Sequence, residues 1–331
     1  MRYANLAVDS DGNAYYVWTV GTDGQYVRAR VRHANGTLGP VQTLATAPGD
    51  ELSGGLRNVN VGVDGAGRAV FSWIRDRGNK APVLQARTRS ATGGLGPVVD
   101  VGPAAGYSQL SVTLVGRAVF ASESRMGILG RAMSAAGSLG PLQQVSTSAH
   151  ASDPHVVSAG GRVLFSWRQD TSGGAAIMAR ELSHGSLTPP DIIASGALFS
   201  SIWPTVALAP DGRAAFCWYP AGAGAEVAEG RIRSPSGALG PIRTITPDGN
   251  CVVDIDTSGN VVWSGTVASG GKNRAFARIQ PAGDALGPMH LLSPAGYNAY
   301  GGEVDVNDGG DAAVVWREGQ QGFAVQGAAG P

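Results

Sequence analysis

Lysine is almost missing from this 331-residue chain, which has only Lys80 and Lys272, so nearly all of its positive charge is arginine. Charged residues are scarce, at 15%. Their signs cancel, with 25 basic against 25 acidic residues. Without a basic excess to displace counterions from phosphates, a general nucleic-acid-binding surface is not expected. Cysteine is limited to Cys217 and Cys251, with no Cys-x-x-Cys, and the five histidines have no metal-ligand spacing. No metal or cofactor is therefore expected. The two cysteines read as buried free thiols, with a single disulfide as the alternative, because spacing does not fix pairing. No apolar run approaches the ~20 residues that would span a bilayer. No Gly-x-Ser-x-Gly elbow is present.

Glycine and proline are plentiful, at 50 and 19. Both disfavour helix interiors and punctuate strands and turns. They fall in a repeat. The stretch Val63-Asp64-Gly65-Ala66-Gly67-Arg68-Ala69-Val70-Phe71-Ser72-Trp73 is a tight turn followed by an apolar strand, and it recurs down the chain. Its turn glycines are Gly12, Gly67, Gly116, Gly161, Gly212, Gly259 and Gly310, spaced 45 to 55 residues apart. Six residues after each glycine stand Trp18, Trp73, Ser122, Trp167, Trp218, Gly265 and Trp316. Arginines mark a third strand at Arg30, Arg87, Arg131, Arg180, Arg231 and Arg278. A leucine follows at Leu38, Leu95, Leu139, Leu187, Leu239 and Leu286, and Gly-Pro follows in every copy but the fourth. Proline suits an outer edge strand, where a missing N–H removes no ladder bond.

Short alternating runs bounded by Gly, Asp and Asn are hairpin signatures. Four strands per repeat with no helix between them predict an all-β, seven-bladed β-propeller. The blades fall near 1–49, 50–105, 106–149, 150–198, 199–247, 248–295 and 296–331 of one domain. The seventh repeat has sequence for three strands only, so its blade is short or its closure differs from the usual overlap of first and last strands. The Val-Asp-Ser-Asp-Gly-Asn hairpin of residues 5–18 resembles blades of NHL-type propellers. The whole Gly-Arg-Ala…Trp…Arg…Leu-Gly-Pro repeat resembles exported actinobacterial propellers. Those are scaffold motifs and carry fold, not activity. With the arginine-rich composition and the absence of a leader before the first strand, they imply a trimmed extracellular or cell-surface segment.

The turns within repeats are short and alike, whereas the connections on the other face differ in every copy. Functional groups tend to ride on such variable loops. They carry Tyr107, Phe199, Trp203, Tyr297 and Tyr300, with Asp153, His155 and Arg75 as polar partners. Aromatic planes beside hydrogen-bonding groups suit a sugar or a peptide. The expectation is a lectin-like, carbohydrate-binding module on this face. A protein-interaction scaffold is the alternative, and a propeller hydrolase or lyase ranks third. The least implausible acid/base pairs are Asp153 with His155 and Glu303 with Asp305, although no residue is assigned a catalytic role. The sialidase Asp-box is not met, because its tryptophan follows the glycine by three residues rather than six. A sugar site at each repeated Trp and Arg is weighed against packing between blades, which is favoured because the residues recur at a core register. Calcium-like runs at Asp254–Gly259 and Asp305–Gly310 lack the closing glutamate. The ligand and the oligomeric state are not legible.

Overall fold

A computed structural model describes residues 4–21, 24–47, 55–183, 185–196, 204–219, 227–307, 309–319 and 324–330. Among these residues there is no helix, and no helix long and apolar enough to cross a membrane. Seven antiparallel sheets follow one another, spanning 4–46, 56–103, 108–144, 151–196, 205–246, 252–291 and 299–330. Strands neighbour each other in chain order, as in the blades of a β-propeller. Five sheets have four strands. In the fourth, Ser186–Leu187 and Asp191–Gly196 both pair with Gly174–Ser183, so the outer edge is split at Thr188-Pro189-Pro190, where Leu-Gly-Pro is lost. The seventh has three strands, Ala299–Val306, Ala312–Glu318 and Ala324–Gly330. The chain divides into two compact units, residues 1–158 and 159–331, each described by itself.

The short turns explain the repeated acidic residue. In the second sheet the Asp64 carboxylate accepts the backbone N–H groups of Ala66 and Arg68 at 2.9 and 2.8 Å, closing the turn from within. Gly67 then takes φ +72°, a left-handed conformation that a side chain disfavours. All seven turn glycines lie between +72° and +96°. Asp256 and Asn307, in the calcium-like runs, make the same turn bonds, to the N–H groups of Asn260 and of Gly309 and Asp311.

Tryptophan is the wedge between sheets. Trp73 is fully buried with Phe71, against Val17, Val27 and Leu44 of the preceding sheet. Its indole N–H donates to Gln85 Oε1 at 3.1 Å, so the polar end is satisfied. In the second compact unit Trp263 packs likewise against Ala215, Cys217 and Ile245. Burying an aromatic side chain of this size stabilises by roughly 2–3 kcal/mol before cavity effects.

The repeated arginine is a stitch. Arg131 Nε donates to the carbonyl of Gly140, on its own outer strand, at 2.7 Å. Its Nη1 donates to Val101 O of the preceding sheet, also at 2.7 Å. Arg87 bridges Gly96 and Leu44, Arg231 bridges Gly240 and Ile193, and Arg278 bridges Gly287 and Ile245. Each guanidinium therefore satisfies two carbonyls that an edge strand would otherwise leave bare. These contacts place the recurring Trp and Arg in the scaffold rather than in one sugar site per blade.

The free-thiol reading of the cysteines is corrected. Cys217 and Cys251 form a disulfide with Cα atoms 6.1 Å apart. It joins the end of strand Ala214–Trp218 to the residue before Val252–Ile255. Sequence separation hides this because the turn-rich repeat brings positions 34 residues apart side by side.

Candidate functional site

In an antiparallel meander the start of the first strand, the end of the second and the start of the third meet at one end, opposite the short turns. In the first compact unit that end gathers Arg57, Asp76, Tyr107, Glu123 and Asp153. Arg57 opens the strand Leu56–Val63 and stands opposite Ile74. Its guanidinium grips Asp76 through Nε at 2.9 Å and Nη2 at 3.3 Å. The same group donates to Gly106 O at 2.9 Å and Ala105 O at 3.1 Å.

Residues 105–107 form the turn entering the third sheet, and Glu123 is the last residue but one of the strand Ala118–Ser124 beside it. Ala105 N donates to Glu123 O at 2.7 Å, and Glu123 N donates to Tyr107 O at 2.9 Å. The Glu123 carboxyl is half-buried, and burial raises its pKa. The backbone N–H groups of Tyr107 and Asp153 and the charge of Arg57 oppose that rise, while the Asp153 charge adds to it. Two carboxyl groups from different sheets are thus neighbours. Gly106 is the residue this closeness permits, since a Cβ there would lie 2.4 Å from the carboxylate of Glu123.

Asp153 has φ +52°, uncommon for a residue with a side chain. Such strain persists only where surroundings impose it, and it clusters at functional positions. Asn58, with φ +51°, shows a structural use of the same conformation. Its Oδ1 accepts the Ser108 N–H at 2.7 Å and the hydroxyl at 2.6 Å, tying the second sheet to the third. This left-handed residue also makes a bulge, so the strand begins at Leu56 although the sequence there reads as loop. His155 lies two residues beyond Asp153 on the strand Ala151–Ala159. Its ring keeps some contact with water, but the surrounding protein strips its hydration and pushes it down to about 4, leaving the imidazole neutral at pH 7.

Of the residues expected at a ligand site, Tyr107 and Asp153 meet around Glu123, with His155 on the strand that carries Asp153. The Tyr107 side chain is 42% exposed. Arg75 is half-buried opposite Leu56 and Val83, and its charge adds a little to what lowers the Asp100 carboxyl. Tyr297, 55% exposed, and Tyr300 belong to the second compact unit. Phe199 and Trp203 lie outside the described residues. Sequence reasoning misses Glu123 itself. The signal for it is the third repeat, which has Ser122 at the tryptophan register, a break directly beside the carboxyl.

The second compact unit has its own carboxyl pair. Asp254 Oδ2 accepts the Val306 N–H at 2.8 Å, and its carboxyl is pushed up to about 7. Burial is the main cause, with the charge and carboxyl of neighbouring Asp305 adding to it. Glu303, on the same strand as Asp305, is open to water at its surface yet raised by the protein around it. Asp254 and Asp305 sit close to the short turns, away from the variable connections.

Cavities of about 280 Å³, lined by Arg68, Thr88 and Gly116, and about 410 Å³, lined by Arg213, Ser234 and Gly283, also lie at short turns. Arg68 already serves Asp64, and Arg213 already serves Gly259 O and Asp211. Juxtaposed acid groups rather than enclosed volume therefore identify the candidate site. Among the described residues no three His, Cys, Asp or Glu side chains are grouped to hold a metal ion.

No protein-family model matches the sequence, and no curated protein matches it. Solved structures do resemble it. The polysaccharide lyase Uly1 superposes with a TM-score of 0.65 at 10% identity, covering 98% of this chain and 88% of that one. A prolyl endopeptidase gives 0.60 at 14% identity over 98% of this chain, which spans 47% of that enzyme. The α-L-arabinofuranosidase of Fusarium graminearum in complex with arabinobiose gives 0.54 at 12% identity, covering 99% and 92% of the two chains. Identities this low carry the fold, a seven-sheet β-propeller. Those three structures are a polysaccharide lyase, an endopeptidase and an arabinofuranosidase, a finding that runs against the expectation of a lectin-like binding module or a protein-interaction scaffold.

Proposed function

We propose that the chain is a glycan-cleaving hydrolase, with Glu123 as proton donor and Asp153 as its partner carboxylate. The observation that carries this reading is the Glu123 carboxyl, raised by burial and the Asp153 charge while it accepts the Asp153 N–H. Glycoside hydrolysis needs such a pair in different protonation states. The protonated carboxyl gives its proton to the glycosidic oxygen as the C–O bond breaks. The ionised one attacks the anomeric carbon or activates the water that replaces the leaving group. Tyr107 offers a half-exposed ring beside Glu123 for a sugar face. A neutral sugar fits better than a uronate, because two acidic groups repel a third and Arg57 is already engaged by Asp76 and two carbonyls. Lyase chemistry is the second reading, with His155 on the Asp153 strand as the neutral base, although burial that pushes its ring down to about 4 makes it a weak one.

The chain is further read as an exported actinobacterial propeller of the Gly-Arg-Ala…Leu-Gly-Pro type with NHL-like hairpins, acting outside the cell on a glycan rather than on nucleic acid. The disulfide suits an oxidising compartment, and the balanced charge suits a partner other than phosphate.

Reducing-sugar release from arabinan and other neutral polysaccharides, and from chromogenic glycosides, tests the activity. Glu123→Gln and Asp153→Asn should each lower the rate by about 10²-fold or more while melting like the parent. Variants as active as the parent, or no release from any substrate by folded protein, would refute the reading. Unsaturated products, seen by ultraviolet absorbance, would select the lyase instead.

A further inference from the structure

We propose that Arg57 is a positioning residue, which holds the turn Ala105-Gly106-Tyr107 against the Glu123 carboxyl. The proposal rests on the hydrolase reading for its catalytic meaning, but its geometry stands alone. The turn is gripped from two sides. On one side the peptide groups of Ala105 and Tyr107 bond the backbone of Glu123 at 2.7 and 2.9 Å. On the other, Arg57 takes the outward carbonyls of Ala105 and Gly106 at 3.1 and 2.9 Å. Asp76 fixes the guanidinium from a third direction through two bonds, a forked match that lysine does not reproduce. The second sheet thereby sets the place of a side chain on the third.

The turn also supplies the Glu123 carboxyl with the N–H of Tyr107, and Gly106 leaves that carboxyl room to lie against it. Slackening the clamp lets the N–H drift from the carboxylate, which weakens the charged form. The charged groups around Glu123 are Asp153, which repels its anion, and Arg57, which attracts it, with neutral His155 further along the Asp153 strand.

Arg57→Lys separates clamp from charge. Carbon-13 NMR of glutamate-labelled protein reads the Glu123 titration directly, with Glu123→Gln to assign its signal. Arg57→Lys should raise the midpoint by about half a pH unit although the charge is kept, and Arg57→Gln should raise it further. Where the chain hydrolyses a substrate, the alkaline limb of the kcat/KM profile should move up with it, and KM should change less than kcat. An unchanged midpoint in Arg57→Lys overturns the proposal, even if the variant melts earlier. If Arg57→Gln does not fold, Arg57→Lys decides alone. A shifted midpoint in a chain that cleaves nothing would sink the hydrolase reading and leave the clamp standing.

Discussion

Asp254 makes the second compact unit sensitive to pH in a calculable direction. Its carboxyl is raised from 3.8 to about 7, so the folded state holds the proton more tightly than the unfolded chain does. Stability from this group is fully present below the unfolded value and is lost as pH climbs through about 7. Every tenfold gain in proton affinity is worth about 1.4 kcal/mol, so the ceiling is on the order of 4 kcal/mol. Residual water contact brings the expected effect to about 2 kcal/mol. Glu303 and Glu123 act in the same direction and His155 in the opposite one, since its stability is lost as pH falls toward about 4. Comparison with Asp254→Asn cancels these other groups. Thermal unfolding by circular dichroism should show the parent losing ground to the variant between pH 5 and 8, by about 4–8 °C in Tm. At the alkaline end the variant should be the more stable protein. Parallel curves for the two proteins would refute the reasoning.

Arg131→Ala should cost about 2–4 kcal/mol in urea unfolding, because it strands two carbonyls and removes two charge-assisted bonds; Arg131→Lys, which can reach one of them, should cost about half as much. Replacing Cys217 and Cys251 by serine should lower stability by about 3–4 kcal/mol, the loop-entropy value for a 34-residue separation, with reductant producing the same loss in the parent protein. Gly106→Ala should leave Tm nearly unchanged yet abolish hydrolysis, because its Cβ meets the mobile end of Glu123 rather than backbone. Full activity in that variant would show that Glu123 need not stand where it does.

Repetition made the fold legible. A glycine that must turn left-handed recurs seven times, an arginine that needs carbonyl partners six and a tryptophan at the core register five, so local chemistry and global architecture point the same way. The three-stranded last sheet is one of the two readings that the sequence leaves open, because the seventh repeat has sequence for three strands and no Leu-Gly-Pro. The candidate site was half legible. Variable connections direct attention to one end of the strands, and the structure brings Tyr107 and Asp153 together with Glu123 at that end, with His155 two residues along the Asp153 strand. Glu123 was passed over because a carboxylate in a strand reads as a solvated side chain until the neighbouring sheet is in place. Its role depends on Asp153, 30 positions away, and on a glycine whose use is only to leave space. The disulfide was hidden for the same reason. Contacts between sheets are set by how repeats stack, and periodicity does not specify that pair by pair.

The arginine stitch has a consequence for descent. In the second, third, fifth and sixth copies the repeat carries within itself the group that seizes a carbonyl of the sheet before it, and its own outer glycine carbonyl completes the grip. A duplicated stretch of gene therefore arrives with its fastener included, needing no new partner to be invented on either flank. Lengthening such a chain by one more copy asks little of selection, which is then free to diversify the connections at the other end.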